Sequence, residues 1–308
     1  MRVLITGGAG FIGSHLVECL LDSGVKVRVL DNLSTGKREN LPADGSRYEF
    51  VHGDIGDWST VSDCVRDVDA VAHLAAVASV QASIDKPIET HRTNFDGTLN
   101  LLEASRLHGV KRLLYASSAA IYGDTAQLPV AEEAAPRPLS PYAVDKLAGE
   151  YYLRYYFNKF GLAATAFRFF NIYGPRQDPS SPYSGVISIF VERARRGEVV
   201  TVFGDGTQTR DFVYVADLAA LLARVVQGPE GVGGLFNVGT GKRYSLLQLL
   251  DCLEKLSGRK ISRRHEPARL GDIQHSCADV SRLQQVFGSA PATLFDQGLK
   301  MLLESLDT

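Results

Sequence analysis

Tyr142 and Lys146 stand four residues apart in Tyr142-Ala143-Val144-Asp145-Lys146. On a helix that spacing puts both side chains on one face. A phenol titrates near ~10, too high for a base at neutral pH. A neighbouring ammonium favours the phenolate and brings that value down. The pair therefore reads as a general base with its electrostatic support, or else as a surface pair, since the spacing arises often by chance. Ser118, the second of Ser117-Ser118, closes an apolar run. There it can hydrogen-bond a reacting hydroxyl and help pass its proton to Tyr142. The alternative is a capping serine pair.

A second set of residues suits an anionic ligand. Gly7-Gly8-Ala9-Gly10-Phe11-Ile12-Gly13 directly follows the first strand-like run. It fits G-x-G-x-x-G through Gly8, Gly10 and Gly13, and G-x-x-G-x-x-G through Gly7, Gly10 and Gly13. Such glycines permit a tight turn, close backbone approach to a pyrophosphate, and tight helix-on-strand packing. A helix starting near Phe11 would aim its N-terminal N–H groups at the anion. The bland reading is a tight strand-to-helix turn. Asp31, 18 positions after Gly13, stands near the ~20 expected for a carboxylate on an adenosine ribose. A carboxylate there repels a 2′-phosphate, so NAD is favoured over NADP. Asn32, rather than Arg, follows it, although Lys37 and Arg38 lie nearby. Asp31 alone is otherwise a solvated strand end. Gly53-Asp54-Ile55 follows the third strand, and His73-Leu74-Ala75-Ala76 ends the fourth. The small Ala75 and Ala76 let backbone approach a cofactor, while His73 reads as a structural histidine. A bound oxidised nicotinamide would add its positive charge to that of Lys146 beside Tyr142.

These residues need a scaffold, and the pattern supplies one. Candidate strands are Arg2–Thr6, Val25–Leu30, Tyr48–His52, Ala70–Leu74, Arg112–Ser117 and Ala164–Phe170, with helix-length segments between. Such alternation implies a parallel sheet covered on both faces, and right-handed crossovers make it doubly wound. Ala126–Pro141, Arg176–Ser184 and Gly228–Gly234 read as loops. After Ile172 the rhythm weakens, with short strands around Val200–Phe203 and Phe212–Val215 and helices at Gly185–Arg196 and Ser245–Ser257. The division expected is a dinucleotide-binding domain over 1–171, receiving a segment near 211–240, and a smaller, discontinuous substrate domain over 172–308. Lys+Arg number 33 and Asp+Glu 35, so the basic excess of a nucleic-acid binder is absent. No apolar run reaches the ~18 residues of a membrane span, and no signal peptide is expected. Cys19, Cys64, Cys252 and Cys277 form no CxxC pair. Neither a metal site nor a disulfide framework is therefore expected, and a reducing cytoplasm fits.

GGAGFIGSHL, DNLSTG, GDI, HLAA, NFDGTLNLLEA, SSAAIYG, SPYAVDK, RFFNIYGPRQ, GDGTQTRDFVYVAD and FNVGTG, in this order along the chain, resemble the extended short-chain dehydrogenases. Among these they look most like the UDP-sugar 4-epimerases. The resemblance implies a Rossmann-type α/β sheet with a smaller C-terminal α/β domain. It gives Ser118, Tyr142 and Lys146 the catalytic roles. It gives NAD contacts to Gly7, Gly10, Phe11, Ile12, Gly13, Asp31, Asn32, Ser34, Thr35, Gly36, Asp54, Ile55, Leu74, Ala75, Ala76, Asn94, Tyr142 and Lys146. Substrate contacts by resemblance are Ser79, Ser118, Asn171, Gly185, Val186, Arg210, Arg269, Asp272 and Ser276. Arg210 and Arg269 match diphosphate-binding arginines, whose forks suit phosphate oxygens; each taken singly is a solvated surface charge. Asp272 would hold a ribose hydroxyl, and Leu270 stands where the family usually has proline.

The same family contains 4,6-dehydratases and decarboxylases, and all begin by oxidising C4 of a nucleotide sugar. The dehydratases share an acidic pair just after the catalytic serine or threonine, and decarboxylases commonly have a Glu there. Here those positions are Ala119-Ala120, and alanine has no proton to give or take. Epimerisation needs neither. Ser276 aligns with a gatekeeper position that is a bulky tyrosine in some epimerases confined to plain hexoses. Serine leaves room for an acetamido group, so UDP-GlcNAc/UDP-GalNAc interconversion is expected, with UDP-Glc/UDP-Gal as a second activity. Ala78 replaces a cofactor-contacting lysine of hexose-specific members, and Ala82 an arginine of the acetylated group. The nucleotide stays open between UDP and dTDP. A net reductase and a non-catalytic dinucleotide sensor are the remaining alternatives. The stretch Tyr151-Tyr152-Leu153-Arg154-Tyr155-Tyr156-Phe157 reads as core or interface. The resemblance implies a homodimer through a four-helix bundle of this helix and one from about Gly97 to Leu107.

Overall fold

Arg2-Val3-Leu4-Ile5-Thr6 is apolar on both sides of its pleat, and four of its five residues are buried. A strand of that kind belongs inside a parallel sheet with helices on each face. A computed structural model shows this arrangement over residues 1–179, 185–268 and 273–306. The first half runs β1 (Arg2–Thr6), α1 (Phe11–Asp22), β2 (Lys26–Asp31), β3 (Tyr48–His52), α2 (Trp58–Val65) and β4 (Ala70–His73). It continues with α3 (Val80–Asp85), α4 (Pro87–His91), α5 (Gly97–Leu107), β5 (Arg112–Ser118), α6 (Pro141–Phe160) and β6 (Ala164–Phe169). Then come β7 (Asn171–Tyr173), α7 (Val186–Arg195), β8 (Val200–Phe203), β9 (Thr209–Arg210), β10 (Phe212–Tyr214) and α8 (Val215–Gln227). The chain closes with β11 (Leu235–Val238), β12 (Tyr244–Ser245), α9 (Leu246–Ser257), β13 (Arg263–Glu266), α10 (Ser281–Phe287) and α11 (Phe295–Ser305).

Seven strands form the main sheet in the order β11-β6-β5-β4-β1-β2-β3. β1 pairs in parallel with both β2 and β4, so strand order reverses beside β1. In a doubly wound sheet, ligands gather beyond the carboxyl ends of the strands at such a switch point. The residues after β1, β2, β4 and β5 are those that sequence had marked.

The chain packs as two compact units. One comprises Met1–Ile121, Pro138–Arg168 and Leu218–Phe236; the other comprises Tyr122–Arg137, Phe169–Asp217 and Asn237–Thr308. The core of the first gathers Leu4, Leu30, Val71, Leu102, Leu113 and Leu153. The core of the second is built on Tyr173, Phe190, Val202, Leu250, Phe295 and Leu299. A single boundary near residue 171 does not anticipate that Tyr122–Arg137 packs with the second unit. The cause is a polar hub at Asn237. Its Nδ2 donates to the Val130 carbonyl at 2.8 Å, its backbone N–H to Glu132 at 2.8 Å, and its Oδ1 accepts from Tyr122 at 2.6 Å. Among the described residues, no helix is long and apolar enough to cross a membrane, and no three His, Cys, Asp or Glu side chains cluster to hold a metal.

Candidate active site

The helix that carries Tyr142 and Lys146 is fixed at both ends by its own sequence. The Ser140 hydroxyl accepts from the Ala143 N–H at 3.2 Å, Pro141 opens the first turn, and Gly161 closes the helix at φ +71°. Each is the residue type that suits its position. Tyr142 thereby sits in the first turn and Lys146 one turn later, both facing inward; Tyr142 is 9% exposed and Lys146 2%. The Lys146 ammonium donates to the Ala116 carbonyl at 2.7 Å. It lies 5.0 Å from the centre of the Tyr115 ring and 5.9 Å from that of Tyr142. Ser118, at the end of β5, hydrogen-bonds the Tyr142 phenol, and its hydroxyl accepts from the Ala120 N–H at 3.2 Å. Serine, tyrosine and lysine are thus brought together within the first unit.

Burial adds an electrostatic effect that the expected lowering of the tyrosine by Lys146 and a nicotinamide did not include. Burial pushes the Tyr142 phenol up, against the lowering hydrogen bond from Ser118. Burial also brings Lys146 down to about 8, opposed by the Asp145 and Glu150 carboxylates. A dry site favours the neutral form of both groups. The phenolate therefore needs a further positive charge beside it, which an oxidised nicotinamide carries.

The loop after β1 is shaped for a dinucleotide. Gly7 has φ +70°, and a Cβ on it would stand 2.8 Å from the backbone of Ala75. A Cβ on Gly13 would stand 2.1 Å from the Gly7 carbonyl and 2.7 Å from the Gly8 Cα. Gly10 precedes α1, which begins at Phe11 and Ile12 with no side-chain cap and no acid in its first turn. Its leading N–H groups are thus left to an anion. At the end of β2 the Asp31 carboxylate accepts from the Ala9 N–H at 2.9 Å and the Leu33 N–H at 2.8 Å. Gly36 lies against it, so closely that a Cβ would be 2.8 Å from Oδ1. Asn32 donates to Asp54 at 2.7 Å and accepts from the Ser34 N–H at 3.0 Å, which orders the turn through Thr35. Ile55 is buried against Gly97. Arg38, one of the two cations near Asp31 that left NADP open, lies 3.9 Å over the Phe50 ring. These features fit NAD: a cradle that any Cβ would fill, an uncapped helix start and a fixed ribose-side carboxylate.

The loop after β4 is held by a one-way chain of hydrogen bonds. The Ala75 N–H donates to Thr6 Oγ1 at 3.3 Å, and Thr6 Oγ1 meets His73 Nδ1 at 2.8 Å. His73 Nε2 meets Thr98 Oγ1 at 2.9 Å, and Thr98 donates to the Asn94 carbonyl at 2.6 Å. Thr98 spends its only proton on a carbonyl, so Nε2 must be the protonated nitrogen and Nδ1 the acceptor. Burial drives His73 down to about 3. The histidine is neutral and fully engaged, as structural histidines are. Asn94, expected at the cofactor, anchors this loop with its amide. It donates to the Val77 carbonyl at 3.1 Å and accepts from the Val77 N–H at 2.8 Å. Leu74 and Ala76 are half-buried in that loop. Ser79 caps α3, accepting from the Ala82 N–H at 2.9 Å.

Two ionic groups behind the pair carried no sequence flag. Arg168 grips Glu150 with two bonds, at 3.0 and 2.7 Å, and Ser117 donates to the same carboxylate. His91 meets Asp145 at 2.7 Å. Glu150 is four residues beyond Lys146, so its inward direction was readable from helical spacing; Arg168 and His91 were not, because their partners are distant in sequence.

In the second unit, Asn171 opens β7 and its N–H donates to the Asp211 carbonyl at 3.0 Å. Gly185 precedes α7, which starts at Val186. Arg210 lies on β9, its guanidinium on the Thr209 carbonyl at 2.9 Å. Ser276 is half-buried and its N–H donates to the same Thr209 carbonyl at 3.1 Å. Arg210 and Ser276 are thus neighbours. Asp211 fixes this corner by accepting from the N–H groups of Thr240, Gly241 and Ala278 and from the Thr240 hydroxyl. Arg269 and Asp272 lie outside the described residues.

Residues 3–239 match the model of the NAD dependent epimerase/dehydratase family. The UDP-glucose 4-epimerase of Mycolicibacterium smegmatis is 39% identical over 308 residues, 99% of this chain and 98% of its own. The solved complex of the Thermus thermophilus UDP-glucose 4-epimerase with NAD superposes with a TM-score of 0.92 at 40% identity, over 100% of this chain and 99% of that one. The UDP-N-acetylglucosamine 4-epimerase from Methanobrevibacter ruminantium, solved with UDP-N-acetylmuramic acid, gives 0.95 at 35% identity over 99% and 98%.

Proposed function

This chain belongs to the NAD dependent epimerase/dehydratase family, and we propose that it inverts C4 of a UDP-sugar through a transient 4-keto sugar. The observation that carries the reading is the Ser118–Tyr142–Lys146 group beside the carboxyl end of β5, with Tyr142 and Lys146 buried and Ser118 half-buried. Tyr142 takes the proton from O4, and Ser118 bonds the same oxygen and steadies the proton in transit. Lys146 supplies positive charge that favours the phenolate. Bound NAD would supply the acceptor, and then the donor, of the C4 hydride. The keto sugar turns between the two events, Tyr142 gives its proton back to O4, and no external cofactor is consumed. Ala119 and Ala120 follow Ser118 directly, so no carboxylate stands there to eliminate water.

For the substrate, Arg210 would hold a diphosphate oxygen with its planar fork, and Ser276 leaves space for an acetamido group. That supports UDP-GlcNAc/UDP-GalNAc as the favoured pair. Plain UDP-hexoses are the second reading, favoured by the names of relatives such as the Mycolicibacterium enzyme. A homodimer accounts for the outer face of α6, where Val144, Tyr151 and Tyr155 are each more than half exposed. The neighbouring helix α4 adds Ile88, 70% exposed. Sedimentation as a dimer at micromolar concentration is expected, and a monomer would count against it. Four unbridged cysteines suit a cytoplasmic home.

The test is a product assay on UDP-GlcNAc, UDP-GalNAc, UDP-Glc and UDP-Gal with no added nucleotide cofactor. Epimer formation without net reduction of nicotinamide is expected. Net consumption of an external cofactor, or a dehydrated product, would refute the reading.

A further inference from the structure

Lys146 brings a charge into a seat that excludes water. An ammonium in such a place sheds its proton unless a carboxylate answers it. Two carboxylates act on it, Asp145 and Glu150, and their circumstances differ. Glu150 is gripped by Arg168, and both side chains are at least nine-tenths buried. Its charge is already matched by a permanent cation.

Asp145 has no such partner. Its residue is 4% exposed. One oxygen meets His91 Nδ1 at 2.7 Å; a carboxylate only accepts, so Nδ1 carries the proton. The other, Oδ2, is buried without a hydrogen-bond partner among the described residues. A buried carboxylate one bond short is a cost, and a polar surface residue at this position would avoid it. Asp145 and Lys146 are sequence neighbours on α6 and both are buried. Burial pushes the Asp145 carboxyl up, and against that the His91 hydrogen bond and the Lys146 charge favour the carboxylate. On the outside stand His91, Arg92 and Asp96, which with Val144 and Asp145 help to line a surface cavity of about 580 Å³. Asp96 opposes the ionised form of Asp145 and lies 4.0 Å from His91 Nε2. Tyr115, Tyr142 and the neutral His73 complete the surroundings of Lys146 and bring no negative charge at neutral pH.

We propose that Asp145 is a positioning residue for the reaction: its buried carboxylate is the counter-charge that keeps Lys146 cationic beside Tyr142, and His91 holds that carboxylate in place from the surface side. This rests on the reading of Tyr142 and Lys146 as the catalytic pair. Glu150 also favours the ammonium, but it shares its charge with Arg168, whereas that of Asp145 is not shared with a permanent cation.

The experiment compares the parent with Asp145→Asn, Asp145→Glu and His91→Gln, each loaded with NAD. Turnover of a UDP-sugar is followed from pH 6 to 10, and tyrosinate absorbance is followed over the same range with Tyr142→Phe as the blank. Asp145→Asn keeps the shape and the acceptor for His91 but loses the charge. Its alkaline limb should move about one unit toward acid, a roughly tenfold extra loss of turnover on the alkaline side relative to pH 7. The Tyr142 phenolate should appear at higher pH. Asp145→Glu should restore both, and His91→Gln should shift them part of the way. An unchanged limb and phenolate midpoint in Asp145→Asn, or an equal loss at every pH, overturns the proposal. If Asp145→Asn does not fold, His91→Gln decides it, and an unshifted limb there is the contrary result. Failure of the underlying reading looks different: the parent makes no epimer, or Tyr142→Phe still turns over.

Discussion

The Lys146 ammonium stands 5.9 Å from the centre of the Tyr142 ring, and burial drives the two groups toward neutrality from opposite directions. Lys146 is brought down to about 8 and Tyr142 is pushed up. In the protein alone burial thus works against the charged pair of ammonium and phenolate. Adding NAD should therefore shift the Tyr142 titration to lower pH. Difference absorbance of tyrosinate, with and without NAD, checks this; identical curves would show that the cofactor's charge does not reach the phenol.

The glycine cradle makes a packing prediction. A methyl at position 13 meets the Gly7 carbonyl and the Gly8 Cα, which are backbone atoms with little room to yield. Gly13→Ala should cost about 1–3 kcal/mol of stability and release bound NAD. Thermal melting together with NAD recovered from the purified protein measures both. A stable variant that keeps its cofactor would mean the turn is looser than its contacts indicate.

His73 gives an acid-stability prediction with a definite sign. Its folded pKa is about 3 against an ordinary 6.5, so between those values the unfolded chain holds a proton that the folded chain cannot. Stability then falls as pH drops below 6.5 and is unaffected by this group above it, by about 1.4 kcal/mol per pH unit at most. His73→Gln should flatten that acid slope by close to one proton. It should also cost about 1–3 kcal/mol at neutral pH, through the Thr6 hydroxyl left without its His73 acceptor. Urea melts from pH 7 to 4 report both effects, and an unaltered slope would contradict the buried neutral histidine.

Much of this architecture was legible because it depends on short-range pattern. Tyr48–His52 and Arg2–Thr6 begin and end where β-rich runs bounded by turn residues placed them, and β4 and β6 differ by a single residue at one end. Ser140, Pro141 and Gly161 announce α6 through local backbone preference alone. What escaped is long-range. The bonds of the Asn94 amide to Val77 depend on a partner fixed only once the turn before α5 is folded. The effect of burial on Tyr142 was also invisible, since a sequence shows a neighbouring lysine but not the absence of water. Tyr151 and Tyr155 lie on the outer face of their helix, while Leu153 and Tyr156 are buried. An aromatic stripe leaves that division open until a partner helix is in place.

Ser276 offers a test of sugar choice. It is half-buried beside Arg210 on the Thr209 strand, and a larger side chain would fill the space assigned to an acetamido group. Ser276→Tyr should lower kcat/KM for UDP-GlcNAc by about tenfold or more while sparing UDP-Glc. Equal losses for both sugars would remove Ser276 from any role in selection.

Tyr142→Phe removes one oxygen and leaves the ring, the helix and the cradle in place. Single-turnover assays on the NAD-loaded variant should show epimerisation slowed by about 10²–10⁴-fold, with cofactor content and melting temperature unchanged. Turnover at the parent rate would mean that another group takes the O4 proton, and the chemistry assigned to Ser118, Tyr142 and Lys146 would be wrong.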